Sequence, residues 1–117
     1  LKYQLLEELA LILPNVGAGF CVDFCHFGVA LGGDFLHVLT RPVMEATTEV
    51  HYSDTDCKTS EFHFPAGKGV LDLPALEKHF TGRSLPVGMD MFQWPAPRSG
   101  AQAAWPHFSS FVQAQSQ

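Results

Sequence analysis

Cationic charge is what this sequence most lacks. Lys and Arg together number 7 against 12 Asp and Glu, a formal net charge of −5 in 117 residues, and no basic cluster stands along the chain. A protein that grips a phosphate backbone carries a basic face, so nucleic acid is not an expected partner. No apolar run approaches the roughly eighteen residues that a membrane-spanning helix needs, so no membrane is expected either. No basic, apolar, small-residue leader opens the sequence. Cysteine is scarce and odd in number: Cys21, Cys25 and Cys57 lack zinc-ribbon spacing. Reduced, partly buried thiols in a cytoplasmic protein are the expected state. The Cys21-x-x-x-Cys25 spacing is expected to put both thiols on one strand face. Internal repeats are absent, and only the polar tail is of low complexity.

What is present is enough apolar residue, 46%, for one domain over residues 1–117 with a modest core. Apolar stretches alternate with candidate helices, a βα pattern that implies an α/β fold with parallel strands. LKYQLLEELALILP reads as the back half of a helix over residues 1–14. Leu5, Leu6, Leu9, Ile12 and Leu13 fall at helical spacing and need a sheet to cover, and Pro14 should stop the helix. A chain opening in this way is expected to follow the N-terminal part of a larger protein. VGAGFCVDFCH predicts a buried strand over residues 16–24, and FGVALGGD a loop or short helical turn. Asp34 is expected to cap FLHVLT, with Pro42 interrupting or ending that helix. A strand follows over 48–53, then a loop over 55–70. Asp72 is expected to cap a helix over 73–81 that begins with Pro74 and stops at Gly82. A third strand spans 85–92, and a final helix, containing Pro106, spans about 100–115.

The stretch EVHYSDTDCKTSEFHFPAGKG, residues 49–69, concentrates four carboxylates and two histidines around the second strand end and the long loop. Loops of more than about 12 residues in a domain are uncommon and often functional. Each of the three strands carries ligand-capable residues at or just after its C-terminal end: Asp23 and His26, then His51 and Asp54, then Asp90. In parallel βα architectures this edge is where loops from adjacent strands converge on an active site. Taken singly, a strand-end Asp is a helix cap, Asp54 and Asp56 are turn-formers, and His37 and His79 are surface or helix-face residues. Three strands obeying one rule, with His63 on the loop, point instead to a site for a divalent metal such as Mn, Mg, Co or Zn.

Asp23-Phe24-Cys25-His26, then His51-Tyr52-Ser53-Asp54, then the segment from Glu61 through His63, Gly67 and Gly69 to Asp72 run in a familiar order. This order resembles the xylose isomerase-like TIM barrels, which include sugar isomerases and epimerases and the endonuclease IV enzymes. The resemblance covers residues 10 to 92. It implies the C-terminal part of a (β/α)8 barrel, about strands six to eight with their helices, the first five strands lying outside this sequence. It implies Asp23, His51 and Asp90 as metal ligands, with Asp90 also the catalytic carboxylate, and Glu61 as a further metal ligand in the endonuclease-like arrangement or a substrate-facing group in the sugar-enzyme one. His26 and His63 are implied as substrate-binding, or as ligands of a further metal. The family's last-strand carboxylate is usually Glu, one methylene longer than Asp90, and the strand-five glutamate has no counterpart here.

The implied activity is metal-dependent isomerisation or epimerisation of a sugar, sugar phosphate or related hydroxy-carbonyl compound, by proton transfer through a metal-stabilised enediolate. An endonuclease IV-like phosphodiesterase and a non-catalytic partial barrel are the alternatives. The expected partners are a carbohydrate substrate and either the remainder of the barrel or a second copy of the chain, because an open three-stranded sheet leaves two unpaired edges.

Overall fold

In a computed structural model, residues 2–117 are described. Three parallel strands, β1 (Phe20–Asp23), β2 (Thr47–Tyr52) and β3 (Val87–Met89), form one sheet in the order β1-β2-β3. The helices are α1 (Lys2–Ile12), α2 (Phe24–Leu31), α3 (Arg41–Glu45), α4 (Leu73–Phe80) and α5 (Pro97–Gln115), with 3-10 turns at Leu13–Val16 and Phe35–Val38. The α/β class and the parallel pairing expected from the sequence are observed.

Alternation along the strands divides the sheet into two unlike faces. Val22, Val50 and Tyr52 point to one side and are buried, with Val87 and Met89 packed against them. This face joins one apolar cluster with Phe24 of α2, Val43 and Met44 of α3, Leu76 and Phe80 of α4, and Phe111 of α5. The Phe24 ring is its hub, with centroids 5.5 Å from Tyr52, 5.9 Å from Phe80 and 5.6 Å from Phe111. Residues of the opposite alternation are Cys21 and Asp23 on β1, Glu49 and His51 on β2, and Gly88 on β3 with Asp90 just beyond it. That face is polar, and Cys21, Glu49 and Gly88 lie exposed on it.

Local chemistry explains where the elements depart from expectation. β1 is only four residues long, because residues 13–16 continue α1 as a 3-10 turn around Pro14. The tetrapeptide after β1 opens a helix instead of extending a strand. Asp23 Oδ1 accepts the His26 N–H at 2.9 Å as the N-cap of α2, which satisfies one of the orphan donors of the first turn. Cys25 therefore sits buried in α2 while Cys21 is exposed on β1, and the two thiols do not share a strand face. Asp34 makes no side-chain cap, and Pro42 lies in the first turn of α3 instead of ending a helix. Asp72 caps α4 through the Ala75 N–H at 3.1 Å. Pro106 is tolerated inside α5 at an exposed position, where the carbonyl it leaves unbonded can meet water.

Of the expected apolar stripe of α1, Leu6, Leu9 and Leu13 are half-buried, with Leu6 packed on the core, while Leu5 and Ile12 are uncovered. Ala10 is buried and Leu11 is exposed. Phe24→Ala, which deletes the hub ring, is expected to cost about 3–5 kcal/mol in urea unfolding. Val112→Ala on the exposed side of α5 is expected to change stability by about 0.5 kcal/mol or less.

Candidate metal centre

Strand register sets the geometry. Asp23 pairs with His51, and His51 with Gly88. Asp90, two residues past Gly88, is held to β2 by its N–H on Tyr52 O at 3.1 Å. Asp23, His51 and Asp90 thus stand side by side at the C-terminal edge, each offering a ligand atom within 4.8 Å of the others. His51 Nδ1 lies 3.5 Å from Asp23 Oδ2 and 4.0 Å from Asp90 Oδ2. Its Nε2 faces Glu49 Oε1 at 3.0 Å. With Nε2–H donated to Glu49, Nδ1 presents its lone pair to the two carboxylates, an orientation typical of metal-ligating histidines.

Both carboxylates are divided in the same way. Asp23 Oδ1 caps α2, and Asp90 Oδ1 accepts the Phe92 N–H at 3.0 Å. In each case Oδ2 is left to the cluster. The helix-cap role of a strand-end Asp and a ligand role are therefore compatible at Asp23, since they use different oxygens.

His63 reaches the cluster from the long loop between β2 and α4. Its N–H donates to Phe92 O at 3.1 Å, and Phe64 forms an antiparallel bridge with Asp54. His63 is 2% exposed, packed edge-on against His26 at 5.0 Å and against Phe92 at 6.0 Å between ring centroids. Its Nδ1 sits 3.2 Å from Asp90 Oδ2 but makes no hydrogen bond. A buried nitrogen without a partner is costly, and a cation beside it supplies one. Asp23, His26 and His63 form a second group of ligand atoms, again within 4.8 Å of one another. This donor set of carboxylate oxygens and imidazole nitrogens fits the divalent ions the sequence implied.

Glu61 does not join them. It is exposed, its N–H bonds Thr59 Oγ1, and it belongs to no ligand-capable group of three among the described residues. The backbone that turns His63 inward turns Glu61 away.

Asp54 organises the loop. Its carboxylate is 1% exposed and accepts the N–H groups of Thr55 at 2.9 Å, Gly67 at 3.0 Å and Leu71 at 3.1 Å. Gly67 adopts φ +90°, a left-handed conformation suited to glycine. A Cβ at Gly69 would collide with Asp54 Oδ1 and the Thr55 carbonyl. Both glycines of the G-x-G segment are thus explained by closure around a buried carboxylate. Asp56 supports the loop from outside: backbone N–H groups of Lys58 and Thr59 hold its carboxyl below the usual range.

Glu49 and Asp54 are the residues whose roles sequence reading missed. The Glu49-x-His51 alternation in a strand is the available signal for the first. The second is a long-range role that no local pattern marks. A cleft of about 530 Å³ lies against α4 and α5, lined by Tyr52, Leu73, Glu77, His107 and Ser110 among others, and excludes the cluster. A smaller apolar pocket of about 300 Å³ between α1 and α2 includes His26 in its wall. No family model, curated protein or solved structure matches the chain.

Asp54→Ala is expected to destabilise the protein by about 3 kcal/mol or more, since it strands buried donors. Amide exchange at Gly67 and Leu71 should accelerate together. The stabilisation from Asp56 is present above the ordinary carboxylate value and is lost as pH falls through its lowered folded value. An NMR titration should place its midpoint below that of an unfolded Asp. Burial, then Glu49 and Asp23, push the Cys21 thiol up, so this exposed cysteine should alkylate more slowly near neutral pH than a free thiol.

Proposed function

We propose that this chain belongs to a divalent-metal-dependent isomerase or epimerase of the xylose isomerase-like barrel kind. Its substrate would be a sugar, sugar phosphate or related hydroxy-carbonyl compound. The observation that carries this reading is the convergence of Asp23, His51 and Asp90, with His63 beside them, at the C-terminal edge of three successive parallel strands. Asp23, His51 and Asp90 would hold the metal ion, which would supply Lewis acidity toward adjacent hydroxyl and carbonyl oxygens.

The chain's own residues account for the remaining steps. Asp90 is the carboxylate suited to proton transfer, because its side chain is 31% accessible while that of Asp23 is 13% accessible. In that role the Asp90 carboxylate would accept the proton from the substrate carbon, with the Phe92 N–H on Oδ1 keeping it aimed. Although Asp is one methylene shorter than Glu, Asp90 lies just beyond β3 with Oδ2 4.0 Å from His51 Nδ1. His26, exposed at the rim, and His63, shielded by Phe92, orient the substrate oxygens.

A barrel of this kind takes about 250 residues, so its other strands and its second proton-carrying carboxylate would lie elsewhere in a longer polypeptide or in a second copy. The uncovered apolar side chains of α1 and the two sheet edges support such a neighbour. The phosphodiesterase alternative drew on Glu61 as an additional ligand. With that residue exposed and outside the cluster, no specific observation favours it.

Asp23→Ala and His51→Ala each delete a ligand and are expected to weaken manganese binding by more than the roughly 10–100-fold that loss of an outer-shell partner costs, while circular dichroism stays unchanged. Unaltered metal affinity in both variants would remove the site assignment. With the native-source polypeptide in heavy water, deuterium should enter the carbon next to the carbonyl of a ketose or ketose phosphate. Absence of exchange across pentoses, hexoses and their phosphates would contradict the proposed reaction.

A further inference from the structure

We propose that the open face of the sheet holds a second, thiophilic divalent cation at Cys21, Glu49 and His51, of which zinc and cobalt are the fitting class. These side chains offer one sulfur, one carboxylate oxygen and one imidazole nitrogen, all within 4.8 Å of one another. Register builds the site: Cys21 pairs with Glu49 directly across β1 and β2, one step toward the strand N-termini from the Asp23–His51 pair. The alternation that places Asp23 and His51 on the open face places Cys21 and Glu49 there too.

The two positions differ in chemistry. The first draws on carboxylate oxygens and imidazoles. The second contains a sulfur donor, which selects borderline-soft ions over magnesium or manganese. The His51 ring stands between them, with Nδ1 turned to Asp23 and Asp90 and Nε2 to Glu49. Coordination at the second position replaces the protons on Cys21 Sγ and His51 Nε2, which leave to solvent. With both positions filled, the His51 ring would stand between them. In this chain Cys21 and Glu49 are exposed, and the neighbouring strand contributes Gly88, whose added Cβ would only touch His51 Cδ2 at 3.9 Å.

Cobalt(II) titration followed by absorbance tests this, since thiolate ligation adds a charge-transfer band in the near ultraviolet that oxygen and nitrogen ligands do not produce. The wild-type chain is expected to take up two equivalents and show the band. Cys21→Ser should bind one equivalent without it. Asp23→Ala should keep the band while losing the other equivalent, so failure of the isomerase site and failure of this one read out separately. A wild-type titration without the band, or a band that survives in Cys21→Ser, overturns the proposal.

Discussion

Asp54 is buried with no cationic side chain paired to it among the described residues, and its carboxylate accepts the N–H groups of Thr55, Gly67 and Leu71. Much of the site follows from that closure. The carboxylate draws both ends of the long loop together. The bridge between Asp54 and Phe64 then fixes the strand-like stretch carrying His63. A second tether, from the His63 N–H to Phe92 O, ties the same stretch to the segment after β3. The imidazole is thereby delivered to Asp90 by backbone bonds on either side of it. Carboxylate acceptors bonded to several N–H groups are among the stronger polar interactions in proteins, and their burial makes them intolerant of partial loss.

The second organising feature is the contrast between the two sheet faces. Apolar side chains of one alternation meet helices α2 to α5 in a core built around Phe24. The other alternation presents sulfur, carboxylates and imidazole in adjacent rows. Such a face is unusual for a parallel sheet, whose strands ordinarily have both sides covered and read as continuous apolar runs. The division of labour within Asp23 and Asp90, one oxygen bonded to backbone and the other directed at His51, holds the cluster rigid without spending its ligand capacity.

Sequence alone makes the order of the three strands legible, together with the rule that polar residues collect at their C-terminal ends. Both depend on local periodicity, and Asp72 capping α4 depends on an i to i+3 contact. What escapes is non-local. Residues 16–24 look strand-like throughout, yet Pro14 and the Asp23 cap confine β1 to four residues. Glu61 and His63 share a face in the sequence pattern, but the tethers on either side of His63 decide which of them turns inward. Asp54 reads as a turn residue because its partners Gly67 and Leu71 are distant in the chain. The partnership of Glu49 with His51 is local, and shows only once the open face is known to be uncovered.

Whether Asp23, His51 and Asp90 hold a divalent cation can be read from anomalous diffraction of a crystal soaked in manganese. An anomalous peak is expected, bounded by Asp23 Oδ2, His51 Nδ1 and Asp90 Oδ2. A map with no peak there, or with manganese confined to exposed carboxylates such as Glu61, would contradict this ligand assignment.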